Sequence, residues 1–154
     1  MLTLKPDERL PSVRGITREW MARRGLRGLI LDLDNTLAHY HASQAPADVG
    51  EWIKGMRDFG LFVCSNSGEK RVGDFCGRLG LLYIHTARKP KADGLLKAAA
   101  LMGLEPHETA MVGDQVFTDM LAARRAGMTA VLVDPLDDSF IFRARRRFER
   151  LFIG

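Results

Sequence analysis

The sequence predicts an α/β fold: one Rossmann-like, three-layer domain built on a parallel sheet of five strands in the order 3-2-1-4-5. Three observations predict it. Short apolar runs alternate five times with segments of helical periodicity. The runs are continuous rather than alternating, as strands covered on both faces require. The polar residues capable of chemistry cluster just after the runs, where an open parallel sheet presents the C-terminal ends of its strands.

Residues 1–27 form an arm, irregular around Pro6 and Pro11 and then a short basic helix from Thr17 to Arg24 stopped by Gly25. It reads as a strap packed on a core that spans 28–134. Gly28–Leu31 is the first core strand and runs directly into Asp32 and Asp34. Side chains two apart on an extended backbone point to one side. Two such carboxylates repel at a buried strand end, and Mg²⁺, which prefers oxygen ligands, relieves them. His39-Tyr40-His41 reads as a surface loop, because no Cys or Glu cluster completes a tetrahedral metal site.

Pro46 opens a helix with Val49, Trp52, Ile53 and Met56 on one face, and Gly60 is expected to end it. Leu61–Cys64 is the second strand. It ends at Ser65-Asn66-Ser67-Gly68, a hydroxyl and amides ahead of a helix N-terminus that suit an anion, with Ser67 also a candidate cap. The third strand, Leu82–Ile84, precedes Arg88-Lys89-Pro90-Lys91. Pro90 holds Lys89 in an extended turn, which favours Lys89 over Lys91 for facing the carboxylates. Ala110–Val112 is the fourth strand and ends in Gly113-Asp114; Asp119, in the next helix's first turns, can point back to the same place. Thr129–Val133 is the fifth. Residues 135–154 form a basic C-terminal helix, read from Ser139 onward.

The chain has 154 residues, 46% hydrophobic and 27% charged, an ordinary globular composition. Charges throughout the first thirty residues leave no signal-peptide core, and no apolar run reaches membrane-spanning length. Cys64 and Cys76 have no metal-type spacing, so a reducing, cytoplasmic setting is expected. The net charge of +4, concentrated in arginines near both ends, suits a polyanionic partner or substrate. Nucleic acid is not among the expected partners.

In the order 3-2-1-4-5 the sheet reverses between strands 1 and 4, so Asp32, Asp34 and Asp114 share one crevice, with Ser65 and Lys89 beside it. An acidic metal nest, a hydroxyl and an ammonium make a phosphate site. This constellation resembles the haloacid dehalogenase superfamily of phosphatases. Asp32-Leu33-Asp34-Asn35-Thr36-Leu37 is similar to its first motif, Ser65 to its second, Lys89 to its third, and Gly113-Asp114 with Asp119 to its fourth. Ser65-Asn66-Ser67, Lys89-Pro90, Gly113-Asp114-Gln115-Val116-Phe117-Thr118-Asp119 and the short leading arm narrow the resemblance to the YqeG-type, class III branch. That branch is similar to phosphatidylglycerophosphate phosphatases.

The resemblance implies a Mg²⁺-dependent phosphomonoester hydrolase acting through an aspartyl-phosphate, on a phospholipid phosphate such as phosphatidylglycerophosphate. Asp32 would be the nucleophile and Asp34 the general acid and base. Ser65 and Lys89 would hold the phosphoryl oxygens, with Asn35 and Asn66 assisting in substrate binding. Mg²⁺ would be bound by Asp32, the Asp34 backbone carbonyl, Asp114 and Asp119. Many relatives insert a cap domain between motifs; here 37–61 and 67–89 hold only helix-scale connections, so no cap is expected. An open crevice suits a large or membrane-embedded substrate, or is covered by a second subunit of a homo-oligomer.

Two alternatives remain at this level. One is a phosphatase for a small soluble phosphate, a sugar phosphate or nucleotide, closed by oligomerisation. The other is a receiver-like phospho-accepting module, disfavoured because the third strand ends in Ile84-His85-Thr86 without a carboxylate. In the tail, Ile141, Ala144, Phe148 and Leu151 form an apolar stripe with Phe140 and Phe152 beside it, among Arg143, Arg145, Arg146, Arg147 and Arg150. Such a helix either lies peripherally on an anionic membrane or packs Phe148 and Leu151 on the sheet edge with its arginines solvated.

Overall fold

A computed structural model describes residues 3–137 and 140–153. Six parallel strands form its sheet: β1 (Glu8–Leu10), β2 (Gly28–Leu31), β3 (Gly60–Cys64), β4 (Leu82–Ile84), β5 (Thr109–Gly113) and β6 (Thr129–Val133). Their order is β1-β6-β5-β2-β3-β4. Five of them, β2 to β6, keep the expected 3-2-1-4-5 arrangement. The correction is β1, which the arm adds at the edge by pairing Glu8, Arg9 and Leu10 with Val131, Leu132 and Val133. Three residues, two of them charged, carry no apolar run to announce a strand. Their charge and shortness also blunt an otherwise open sheet edge.

Among the described residues six α-helices cover the two faces: α1 (Arg18–Arg24), α2 (Ala47–Gly55), α3 (Glu69–Leu79), α4 (Asp93–Leu101), α5 (Leu121–Ala126) and α6 (Phe140–Ile153). On one face, Leu29, Leu31 and Val63 pack with Val13, Ile16 and Met21 of the arm and with Ile53, Val72 and Phe75. On the other, Ile30, Phe62 and Met111 pack with Leu95, Ala98, Met120 and Ala123. Thr17 caps α1 by accepting from the Trp20 amide at 3.1 Å.

Two helix boundaries differ from expectation. α2 ends at Gly55, and Gly60 instead begins β3. Gly68, not Ser67, is the N-cap residue of α3, because the Ser67 hydroxyl bonds Asp34. β4 is an edge strand, and Leu82 is exposed there rather than covered.

The connections after β2 and β3 contain α2 and α3 and nothing larger, so no cap covers the strand ends. Among the described residues no helix is long and apolar enough to cross a membrane. Ser139, where the tail helix was expected to start, lies outside the described residues. Of the two readings of this helix, the one that packs Phe148 and Leu151 on the sheet edge is overturned: both are exposed, while Glu149 and Ile153 are buried. Its charged side has partners at the strand ends, and those partners set its orientation.

Candidate active site

Asp32 follows β2, Ser65 follows β3 and Asp114 follows β5, while Lys89 lies in the turn after β4. All four are buried at the C-terminal end of the sheet. The Lys89 ammonium donates to Asp32 Oδ1 and to Asp119 Oδ1, each at 2.8 Å. Lys91 is exposed, so the structure places Lys89 and not its neighbour among the carboxylates. Asn66 holds Lys89 there: its Nδ2 donates to the Lys89 carbonyl at 2.9 Å, and its Oδ1 accepts from the Lys89 amide at 2.8 Å. Ser65 Oγ accepts from the Ser67 amide at 3.1 Å.

Asp119 reaches the site because residues 116–120 form a single wide helical turn, with the Gln115 amide donating to Asp119 Oδ2 at 3.1 Å. The fold-back requires glycine at position 113. A Cβ there would stand 2.2 Å from Asp119 Oδ2, well inside contact distance.

Asp34 is held differently. Arg71 Nη2 donates to its Oδ1 at 2.8 Å and Ser67 Oγ to its Oδ2 at 3.0 Å. Sequence reading missed Arg71, which looks like one more polar residue on the outer side of α3. Its spacing of four from Ser67, across the start of that helix, was the available signal.

Asn35 adopts a left-handed conformation with φ of 65°. Its Oδ1 accepts from the Asp137 amide at 3.2 Å, which ties down a loop outside the cleft. His39 pairs with Asp137 at 2.8 Å, in keeping with a surface loop. The cleft itself is an open pocket of about 210 Å³ lined by Asp32, Asp34, Tyr40, Ser65, Asn66, Lys89, Gln115, Thr118 and Asp119, with Ser67 at its wall.

One oxygen from each of Asp32, Asp114 and Asp119 lies within 4.8 Å of the others. Burial raises the Asp32 carboxyl to about 6, and Asp119 adds to this while Lys89 opposes it. Burial likewise raises Asp114 to about 6, reinforced by Asp32 and opposed by Arg145. Asp119 is also raised by burial, against the pull of Lys89. For Lys89, burial alone would lower the ammonium, but Asp119 and Asp32 together outweigh it and hold it above its usual range.

Asp114 is fully buried. Arg145 Nη2 donates to its Oδ2 at 2.7 Å, while its Oδ1 has no hydrogen-bond donor among the described residues. A carboxylate oxygen accepts but cannot donate, so a buried one without a donor calls for a cation. Three converging carboxylates of this kind fit a hard ion such as Mg²⁺. Arg145 was also missed, because nothing in the sequence distinguishes it from the four arginines around it.

A phosphate group entering this cleft would meet a buried carboxylate, a fixed ammonium, a hydroxyl and a cluster of three carboxylates that fits a cation. Comparisons with known proteins agree. A family model described as HAD-hydrolase-like matches residues 86–135. The chain is 37% identical over 153 residues to the probable phosphatase YqeG of Bacillus subtilis, covering 97% of this chain and 89% of that one. It is 28% identical to the chloroplastic and mitochondrial phosphatidylglycerophosphate phosphatase 1 of Arabidopsis thaliana, covering 94% of this chain but 45% of that protein. In fold it is similar to the cobalt-bound deoxy-D-mannose-octulosonate 8-phosphate phosphatase of Haemophilus influenzae, with a TM-score of 0.56 and 20% identity over 78% of this chain and 84% of that one.

Proposed function

The chain belongs to the haloacid dehalogenase superfamily, as a phosphatase of its YqeG-like branch, and on that premise we propose that it is Mg²⁺-dependent, works through an aspartyl-phosphate on Asp32 and takes a phospholipid monoester phosphate. The observation that carries this reading is the Lys89 ammonium bridging Asp32 and Asp119, beside the open oxygen of Asp114. It supports a nucleophile, a phosphate-binding cation and metal ligands sharing one cleft.

An Asp32 carboxylate oxygen attacks phosphorus, the ester P–O bond breaks, and Asp34 gives its proton to the departing oxygen. Water then attacks the phosphorus of the acyl phosphate and yields its proton to Asp34, which returns Asp32 as carboxylate and releases inorganic phosphate. Lys89 and Ser65 hold the phosphoryl oxygens as charge spreads over them. Arg71 and Ser67 keep the Asp34 carboxyl aimed at the cleft. Asp32, Asp114, Asp119 and the Asp34 backbone carbonyl would hold Mg²⁺, which supplies charge that offsets repulsion between Asp32 and a phosphate dianion.

The uncapped cleft and the likeness to the Arabidopsis phosphatidylglycerophosphate phosphatase support a lipid substrate and a peripheral position on an anionic membrane. A panel of phosphate monoesters, lipid in detergent micelles and soluble, assayed with Mg²⁺ and with chelator, tests the reading. Preferential Mg²⁺-dependent release of phosphate from the lipid monoester is expected. Turnover confined to sugar phosphates or nucleotides would replace the substrate assignment, and chelator-insensitive turnover would overturn the metal.

A further inference from the structure

α6 meets the rest of the protein with its charged side. Arg145 pairs with Asp114 and Arg146 with Asp134, each at 2.7 Å, and Glu149 Oε1 accepts from the Val116 amide at 3.3 Å. Its apolar side faces outward: Ile141 and Leu151 are 76% and 78% exposed, and Phe140, Phe148 and Phe152 are exposed as well. This surface is continuous with the active site. Phe117 packs on Phe152 and Phe148, with ring centroids 5.2 and 6.2 Å apart, and it belongs to the turn that carries Thr118 and Asp119 into the cleft. Further along the helix, Phe142 lies 6.5 Å from the ring of Tyr40, another cleft residue. Beside the strip is a cavity of about 580 Å³ walled by Phe142 and by Arg143, Arg146, Arg147 and Arg150.

A strip of exposed large apolar side chains on one helix marks an interaction surface. The arginines around it repel a second copy of the same face and match an anionic surface. Over its 14 described residues α6 is not long and apolar enough to span a bilayer, but it has the form of a helix lying in the interface with aromatics down. Its inner side acts on the metal nest. With Asp114 Oδ2 bonded to Arg145, the unpartnered Oδ1 is left for the cation. Groups that bond a ligating carboxylate from behind fix its orientation.

We propose that the outer face of α6, with Phe117, seats the protein on an anionic bilayer, and that Arg145 on the inner face ties that seating to metal binding at Asp114. This deepens the lipid-phosphate reading and rests on it. Seating fixes α6, α6 fixes Arg145, and Arg145 fixes Asp114; by linkage, Mg²⁺ in turn steadies α6. Arg145 is a positioning residue in this scheme.

Vesicles of phosphatidylglycerol or of phosphatidylcholine, neither a phosphomonoester, separate the seat from the substrate. Wild-type protein should co-sediment with phosphatidylglycerol, less so at high salt, and the F148S/L151S/F152S variant should lose at least tenfold in binding while keeping its Mg²⁺ affinity. By calorimetry without lipid, Arg145→Ala should weaken Mg²⁺ binding by about 10- to 100-fold, with Arg145→Lys restoring part of it. Amide exchange in α6 should slow on adding Mg²⁺ to the wild type and not to Arg145→Ala. Equal sedimentation with both lipids overturns the seat. Unchanged Mg²⁺ affinity in Arg145→Ala overturns the tie. Failure of the substrate reading shows elsewhere, as absent hydrolysis of the lipid monoester in micelles by protein that still binds phosphatidylglycerol vesicles.

Discussion

Replacing Asp114 with Asn should stabilise the metal-free protein while abolishing its metal-dependent activity. Asp114 is fully buried, and burial with the nearby Asp32 raises its carboxyl from 3.8 to about 6 even with Arg145 opposing. At about 1.4 kcal/mol per pH unit, the folded state therefore disfavours the ionised form by about 3 kcal/mol. Asn keeps the shape of the neutral acid and removes that penalty. Because the folded value lies above the unfolded one, the native state holds the proton more tightly. The penalty is absent below about pH 4, grows as pH rises and is complete above about 6. In chelator at pH 7.5, Asp114→Asn should melt about 6–12 °C above wild type, at 2–4 °C per kcal/mol for a chain of this size. That lead should shrink steadily as pH falls from 6 towards 4. Mg²⁺ at a hundred times its dissociation constant should nearly erase that lead, raising the wild type by about 2.7 kcal/mol and the variant by little. Calorimetric melts across pH 4–8, with and without Mg²⁺, measure all of this. A variant that melts at or below wild type in chelator at pH 7.5, or whose lead is unchanged at pH 4.5, would refute the reasoning.

Asp32→Asn should lose turnover by orders of magnitude while the fold, read by circular dichroism, is retained; wild-type-like kcat in a clean preparation would sink the covalent route. Arg71→Ala frees one side of Asp34 and should lower kcat by about 10–100-fold on an alkyl phosphate but much less on p-nitrophenyl phosphate, whose leaving group needs no proton. Equal losses on both substrates would place Arg71 outside proton transfer. Gly113→Ala puts a Cβ 2.2 Å from Asp119 Oδ2 and should cost about 1–3 kcal/mol of stability along with most of the Mg²⁺ affinity, measured by urea melts and calorimetry.

The contrast between Lys89 and Arg145 shows where sequence reading stops. Pro90, the preceding short strand and the strand-order rule together aim Lys89 at Asp32, so its place follows from local constraints and one topological regularity. Arg145 sits among near-identical neighbours on one helix, and only the docking angle of α6 selects it. Arg71 is a similar case, since its partner Asp34 lies 37 residues earlier in the chain. The edge strand β1 escaped notice because Glu8 and Arg9 have no strand pattern until Val131 and Leu132 lie beside them.

The sequence by itself determined the five core strands, their order and the four carboxylates, Asp32, Asp34, Asp114 and Asp119, with Ser65 and Lys89, at their C-terminal ends. These depend on apolar runs, turn residues and strand ends, which are local properties of the chain. Tertiary structure alone decided that Asn66 clamps Lys89 while Asn35 ties down a loop, and that Arg71 and Ser67 bond Asp34. It also decided that α6 turns its phenylalanines outward. Periodicity marks an apolar face but not the direction it faces. Here the ends of β5 and β6 offer the buried Asp114 and the exposed Asp134 to Arg145 and Arg146, and the charged side of the helix turns inward to reach them.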